Sequence, residues 1–145
     1  MTVRMSEAWS LHPQLEKDTS PVGDLPLCRV LAMNVADYPW LILVPRRPDT
    51  IEIADLDAAD AARLIEETAL ASRALKDVTR CDKLNIAAIG NVVPQLHVHI
   101  VARWKADPLW PKPVWGHAAM VAGEAEAFVK LLGMVRERLE PTLSG

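Results

Sequence analysis

Cysteine is scarce in this chain. Cys28 and Cys81 are the only two, in different surroundings, and they form neither a disulfide framework nor a Cys-x-x-Cys ligand pair. No apolar run reaches the length of about 18 residues that a membrane span needs. The opening MTVRMSEAWSLHPQL lacks the continuous apolar stretch of a secretory leader. Positive charge is not in excess: 16 Lys and Arg stand against 19 Asp and Glu, a formal charge of −3. A phosphate backbone calls for a basic face, so the balance argues against a general nucleic-acid binder. Internal repeats and low-complexity tracts are missing too. These absences exclude membrane proteins, collagens, coiled coils and disulfide mini-proteins. They predict a soluble cytoplasmic protein with no nucleic-acid and no membrane partner. What is present suffices for one domain: 145 residues, half of them hydrophobic, can fill a core without disulfides or metal.

Residues 1–25 are polar and proline-punctuated, and read as an N-terminal arm, a short helix or arm followed by loop. Strands are predicted at Leu27–Asn34, Leu41–Val44, Leu84–Ile89 and Leu96–Trp104. The clearest helix is Asp57–Val78, capped by Asp57, with Ala61, Leu64, Ile65, Thr68, Ser72, Leu75 and Val78 as its apolar stripe. Glu66, Glu67, Arg73 and Lys76 fall mostly outside that stripe. A final helix at Glu124–Leu139 presents Phe128, Leu131, Leu132, Val135 and Leu139 on one face. Between them, Asp107–Gly116 holds three prolines and two tryptophans and cannot be a regular element. The order of elements is not a βαβ alternation. It predicts an α+β fold with an antiparallel sheet, the strands on either side of Gly90 forming a hairpin. The whole chain, 1–145, reads as a single domain: arm 1–25, core 26–116, and a C-terminal helix and tail over 117–145.

Two of the four histidines, His97 and His99, sit two residues apart on a predicted strand. Side chains alternate along a strand, so Gln95, His97, His99 and Val101 share one face. Leu96, Val98, Ile100 and Ala102 share the other, which is the core face. From the residues alone, three readings stand. The pair could be two exposed histidines on a solvated face. It could supply two metal ligands about 6–7 Å apart between Cα atoms, lacking a third, since His12 and His117 are not tied to the strand by spacing. Or it could be a nucleophilic or phosphate-binding site.

The stretch Gly90-Asn91-Val92-Val93-Pro94-Gln95-Leu96-His97-Val98-His99-Ile100-Val101 resembles the signature strand of the histidine triad (HIT) superfamily, His-φ-His-φ-His-φ-φ with φ apolar. His97 and His99 match its second and third histidines. Tyr38-Pro39-Trp40-Leu41-Ile42-Leu43-Val44-Pro45 resembles an upstream family stretch in which Trp40 stands in a histidine's place. Trp110–Gly116 resembles the loop after the signature strand in bacterial members. The resemblance implies a sheet of about five antiparallel strands with two main helices, extended across a homodimer. It implies a nucleotide substrate and a covalent nucleotidyl-histidine at His97. Gln95, His99 and Asn91 would hold phosphate oxygens, and Asn34 would meet the sugar. No metal, no cofactor and no Walker-type loop are needed for that step.

The departures from the pattern are Gln95 for the first histidine, Asn91 for a glutamine, Val92 for a hydroxyl residue and Trp40. Val92 carries no hydroxyl and Gln95 is no acid, so a leaving group that needs a proton is disfavoured. Phosphoanhydrides of the dinucleoside polyphosphate type are therefore the expected substrates. The alternatives are a metal-binding protein using His97 and His99, or a nucleotide-binding module with weak turnover. Arg46-Arg47 reads as a solvated loop pair, His12 and His117 as surface or helix-end residues. The tryptophan-rich loop reads as packing at a fold edge or dimer contact.

Overall fold

A computed structural model describes residues 8–35, 37–117 and 125–144. The arm is more ordered than its composition suggests. His12 caps a short helix, α1 (Pro13–Asp18), its Nδ1 accepting the Gln14 N–H at 3.0 Å. The chain then runs extended as β1 (Thr19–Asp24), paired antiparallel with β2 (Cys28–Met33). This corrects the expectation of loop over these residues. The sequence TSPVGD hides a strand because Pro21 is tolerated at a sheet edge and the register shifts between Pro21 and Gly23.

The remaining elements are β3 (Trp40–Pro45), α2 (Ala58–Thr79), β4 (Lys83–Ala87), β5 (Val98–Arg103) and α3 (Ala125–Leu139). The strands form one five-stranded sheet in the order β1-β2-β3-β5-β4, every neighbouring pair antiparallel. The α+β class and the β4–β5 pairing match the sequence reading. Both strands are shorter than expected, however. Gly90, at φ +65°, turns the chain away from the ladder, and Pro94 brings no N–H to it, so residues 88–97 form a long connection.

Helix α2 begins at Asp57, whose Oδ1 accepts the Asp60 N–H at 2.8 Å. Its buried residues are Leu64, Glu67, Thr68, Ala71, Ser72, Ala74 and Leu75. The buried arc is thus rotated from the predicted stripe: Ile65 is 66% exposed, while Glu67 is only 3% exposed. The Glu67 carboxylate turns inward because it has work to do at the start of β2. It accepts the Leu27 N–H at 2.8 Å and the Cys28 N–H at 2.7 Å. In α3, Val135 and Leu139 are buried, and Phe128, Leu131 and Leu132 pack partly buried against the same core. Glu124, the predicted first residue of this helix, lies outside the described residues.

Both faces of the sheet are covered. Val30, Leu41, Leu43, Val98, Ile100 and Ala102 meet Leu64, Leu75, Val135 and Leu139 of the helices. On the opposite face Leu31, Trp40, Ile42, Val44 and Val101 meet Leu15 of the arm, Val93, and Val114 of the tryptophan-rich loop. Strands β3 and β5 are accordingly buried along their whole length. The loop is pinned by Arg103, which is 1% exposed. Its guanidinium grips Asp107 through two bonds, of 2.8 and 2.9 Å, reaches Asn85 Oδ1 at 3.0 Å, and lies over the rings of Tyr38 and Trp110. That hydrogen bonding holds the Asp107 carboxyl well below the usual carboxylate range.

The two sheet edges differ. The β1 edge is interrupted by Pro21 and the bulge, and Asp24 bridges to Ser144. Among the described residues nothing pairs with the outer edge of β4, and Ile86, Ile89, Ile51, Ile53 and Val92 are all exposed. Among the described residues no helix is long and apolar enough to cross a membrane.

The Glu67 clamp yields a stability prediction. Without its carboxylate, two buried amides lose their acceptors, and each orphan costs about 1–3 kcal/mol. Glu67→Ala is expected to lower the unfolding free energy by about 2–4 kcal/mol in denaturant titrations. Glu66→Ala, one residue along on the exposed side, should change it by less than about 0.5 kcal/mol.

Candidate active site

The connection from β4 to β5 delivers the histidines. Val93 plugs into the arm-side core and Leu96 into the helix-side core, so the segment is pegged on both faces just before β5. The Leu96 N–H also donates to Thr50 O at 2.9 Å. His97 therefore enters immediately ahead of β5, and His99 is its second residue. His99 lies opposite Ile42 of β3 and Ala87 of β4. The two rings share the face away from the helices, with centroids 4.8 Å apart and planes at 67°. Both are buried. The reading of two exposed histidines on a solvated sheet face is thereby corrected: the arm and the tryptophan-rich loop cover that face.

Each Nδ1 has one partner, and the partners are of opposite kind. His97 Nδ1 lies 2.6 Å from Gln95 O. A carbonyl only accepts, so Nδ1 carries the proton and Nε2 keeps its lone pair. His99 Nδ1 lies 3.0 Å from Trp40 Nε1. An indole N–H only donates, so Nδ1 holds the lone pair and the neutral ring carries its proton on Nε2. Burial, then the neighbouring His97, push the His99 pKa from 6.5 down to about 4. Trp115 completes the enclosure, its ring 5.6 Å from His99 and 5.8 Å from Trp40.

Two cavities meet at His97. One, of about 180 Å³, is lined by residues 89–93 with His97, His99 and Trp115. The other, of about 310 Å³, is lined by residues 51–54 and 88–90 with Gln95, Leu96 and His97. Asn91, His97 and His99 thus share one cavity, as a phosphate site would need. Two predicted residues are engaged elsewhere. The Gln95 amide is tied to the arm, its Nε2 donating to Ser10 O and its Oε1 accepting the His12 N–H, both at 2.9 Å. It is the backbone carbonyl of Gln95, not its amide, that meets His97. Asn34 follows β2 and accepts the Ser20 hydroxyl at 2.9 Å; it lines neither cavity.

Val92 is 87% exposed on the rim. Arg47 pairs with Asp60, and Arg46 donates to Leu25 O, so neither faces the site. His117 is exposed. Among the described residues no group of three or more His, Cys, Asp or Glu side chains converges, so His97 and His99 have no third metal donor there. Sequence reasoning missed the contacts of Trp40 and Trp115 with the histidines. The antiparallel register of β3 on β5 would have placed Trp40 beside them. No spacing signal points to Trp115.

An antiparallel five-stranded sheet with a buried, oppositely polarised histidine pair at the start of β5 is an α+β architecture shared with known proteins. The HIT domain family matches residues 14–106. A crystal structure of a histidine triad protein from Bradyrhizobium japonicum is 54% identical, covers 90% of this chain and 98% of its own, and superposes with a TM-score of 0.87. One from Marinobacter aquaeolei is 38% identical, with coverage of 93% and 98% and a TM-score of 0.88. An AP-4-A phosphorylase from Mycobacterium tuberculosis is 35% identical over 48% of this chain. The chain spans only 40% of that relative's length. The chain belongs to the HIT domain family.

The depressed His99 pKa makes stability pH-dependent. Its folded value lies below 6.5, so the unfolded chain takes up the proton first. The stability it contributes is present above about pH 6.5 and is lost as pH falls through about 4. Denaturation midpoints are therefore expected to drop between about pH 7 and about pH 4.5. His99→Gln, which cannot titrate, should show a smaller drop over the same window.

Proposed function

We propose that this protein is a nucleotide hydrolase or nucleotidyl transferase acting on nucleoside phosphoanhydrides, through a nucleotidyl group carried on His97. The observation that carries this reading is the opposed polarity of the pair: a lone pair on His97 Nε2 beside an N–H on His99 Nε2. The first is a nucleophile, and the second is a donor for the oxygen on which charge builds. In the first step His97 Nε2 bonds to the α-phosphorus, and the bond from phosphorus to the bridging oxygen breaks. The leaving nucleotide keeps the electron pair and departs as an anion. His99 Nε2–H and the Asn91 amide donate to the non-bridging oxygens. In the second step water, or another acceptor oxygen, bonds to phosphorus as the P–N bond breaks. The acceptor's proton is released and His97 recovers its lone pair.

The leaving group sets the substrate class. Among the described residues around the histidines no acid is placed to protonate an amine or alkoxide: Val92 has no hydroxyl and the Gln95 amide is held by the arm. A phosphate leaves without help. The name of the mycobacterial relative, AP-4-A phosphorylase, supports a dinucleoside polyphosphate in this role. His97→Ala is expected to abolish turnover of diadenosine tetraphosphate while leaving nucleotide affinity within about tenfold. His99→Gln should slow turnover without abolishing it. Equal, modest losses for both would count against His97 as the nucleophile.

We also propose a homodimer in which two β4 edges pair and continue the sheet. The bare edge and its exposed isoleucines favour it. Sedimentation at micromolar concentration should give twice the chain mass, and Ile86→Lys should shift it toward monomer.

A further inference from the structure

We propose that Trp40 is a positioning residue for the reaction above: its indole N–H locks His99 in the neutral Nε2–H tautomer and so fixes it as a donor to the phosphate. The inference rests on the proposed function for its purpose but on the geometry of the site for its content.

Trp40 opens β3, and its partner across the ladder is Val101, on the histidine face of β5. From there the indole reaches diagonally to His99, with ring centroids 5.7 Å apart at 66° and Nε1 3.0 Å from Nδ1. The tryptophan is itself buried and braced edge-on by Trp115. An indole nitrogen has no lone pair to offer, so a proton on His99 Nδ1 would set two donors against each other across a buried contact. That excludes the alternative neutral tautomer as well as the cation. A histidine at position 40, the residue the HIT pattern carries there, could donate or accept and would leave His99 free to switch. Here the choice is made by the side chain.

The surroundings add nothing that would restore a charge. Opposite His99, β3 presents Ile42 and β4 presents Ala87, and the loop presents Trp115. Among the described residues, the titratable group that lies against it is His97. The buried ion pair on the same face, Arg103 with Asp107, lies four residues along β5 and is closed on itself. His99 therefore acts as a dipole and not as a cation, and its donor capacity does not depend on pH over the neutral range.

Two-bond ¹H–¹⁵N correlation spectra of histidine-labelled protein read tautomers directly, without substrate. In the unmodified protein the His99 pattern is expected to show a bare Nδ1 and a protonated Nε2, unchanged between about pH 5.5 and about pH 8. Trp40→Phe keeps the ring and removes the donor. It should give mixed His99 tautomers and a raised His99 pKa. It should lower kcat by about 5–20-fold with KM within about threefold, and add an acid limb to the kcat profile. Trp40→His should recover part of kcat. A proton on His99 Nδ1 in the unmodified protein overturns the proposal whether or not any variant folds. So does a folded Trp40→Phe with unaltered His99 nitrogen shifts. A locked His99 pattern in a protein that retains turnover in His97→Ala would overturn the proposed reaction and leave the lock standing.

Discussion

Two imidazoles whose centroids lie 4.8 Å apart in a buried site cannot both be charged, and two neutral imidazoles have four possible tautomer pairs. The protein selects one of the four with two hydrogen bonds, from His97 Nδ1 to a backbone carbonyl and from an indole to His99 Nδ1. The outcome is a lone pair on one Nε2 and a donor on the other, in two rings that line the same cavity. Everything attributed to the site depends on this selection. Were either bond to reverse, the site would present two donors or two acceptors, and a phosphoryl group would be attacked or held but not both.

The rest of the fold is arranged so that those two partners do not move. The Gln95 carbonyl is steadied because the Gln95 amide is bonded twice to the arm, at Ser10 and His12. The arm in turn is fixed by α1, by Leu15 in the core, and by Trp9 lying against Arg29. Trp40 is held in a strand buried on both faces and is flanked by Trp115, whose loop is folded back by the Arg103–Asp107 pair. A buried ion pair is a poor source of net stability, but it is an effective way to fix one arrangement of a proline-rich loop. The α2 carboxylate of Glu67 performs a similar service at the start of β2, where the neighbouring Cys28 thiol is pushed up by burial first and by that carboxylate second.

Much of this was legible in the amino acids. The period-2 alternation through Leu96–Val101 gives the strand, its core face and the shared face of His97 and His99. The apolar run LILV gives a strand buried on both sides. What resisted reading depended on partners distant in sequence. Thr19–Asp24 carries too few apolar residues to announce a strand; pairing with β2 makes it one. Helical spacing leaves Glu67 outside the apolar stripe, since a carboxylate belongs in water unless acceptors are wanted, and the two amides that want it are about 40 residues away. The family resemblance implies a phosphate ligand at Gln95, which stands in the first histidine's place. The arm that claims its amide is more than 80 residues distant. Trp115 belongs to a loop with no period at all, and only its tertiary anchoring by Arg103 brings it to His99.

The central claim is that phosphorus is displaced twice, first by His97 and then by the acceptor. The stereochemical course at phosphorus tests it most directly. Each in-line displacement inverts the centre, so two in succession restore it. A dinucleoside polyphosphate made P-chiral by sulfur at the α-position, turned over in ¹⁸O-labelled water, should yield a nucleoside phosphorothioate with net retention of configuration. Net inversion would mean that water attacks the substrate directly and that His97 never carries the nucleotidyl group.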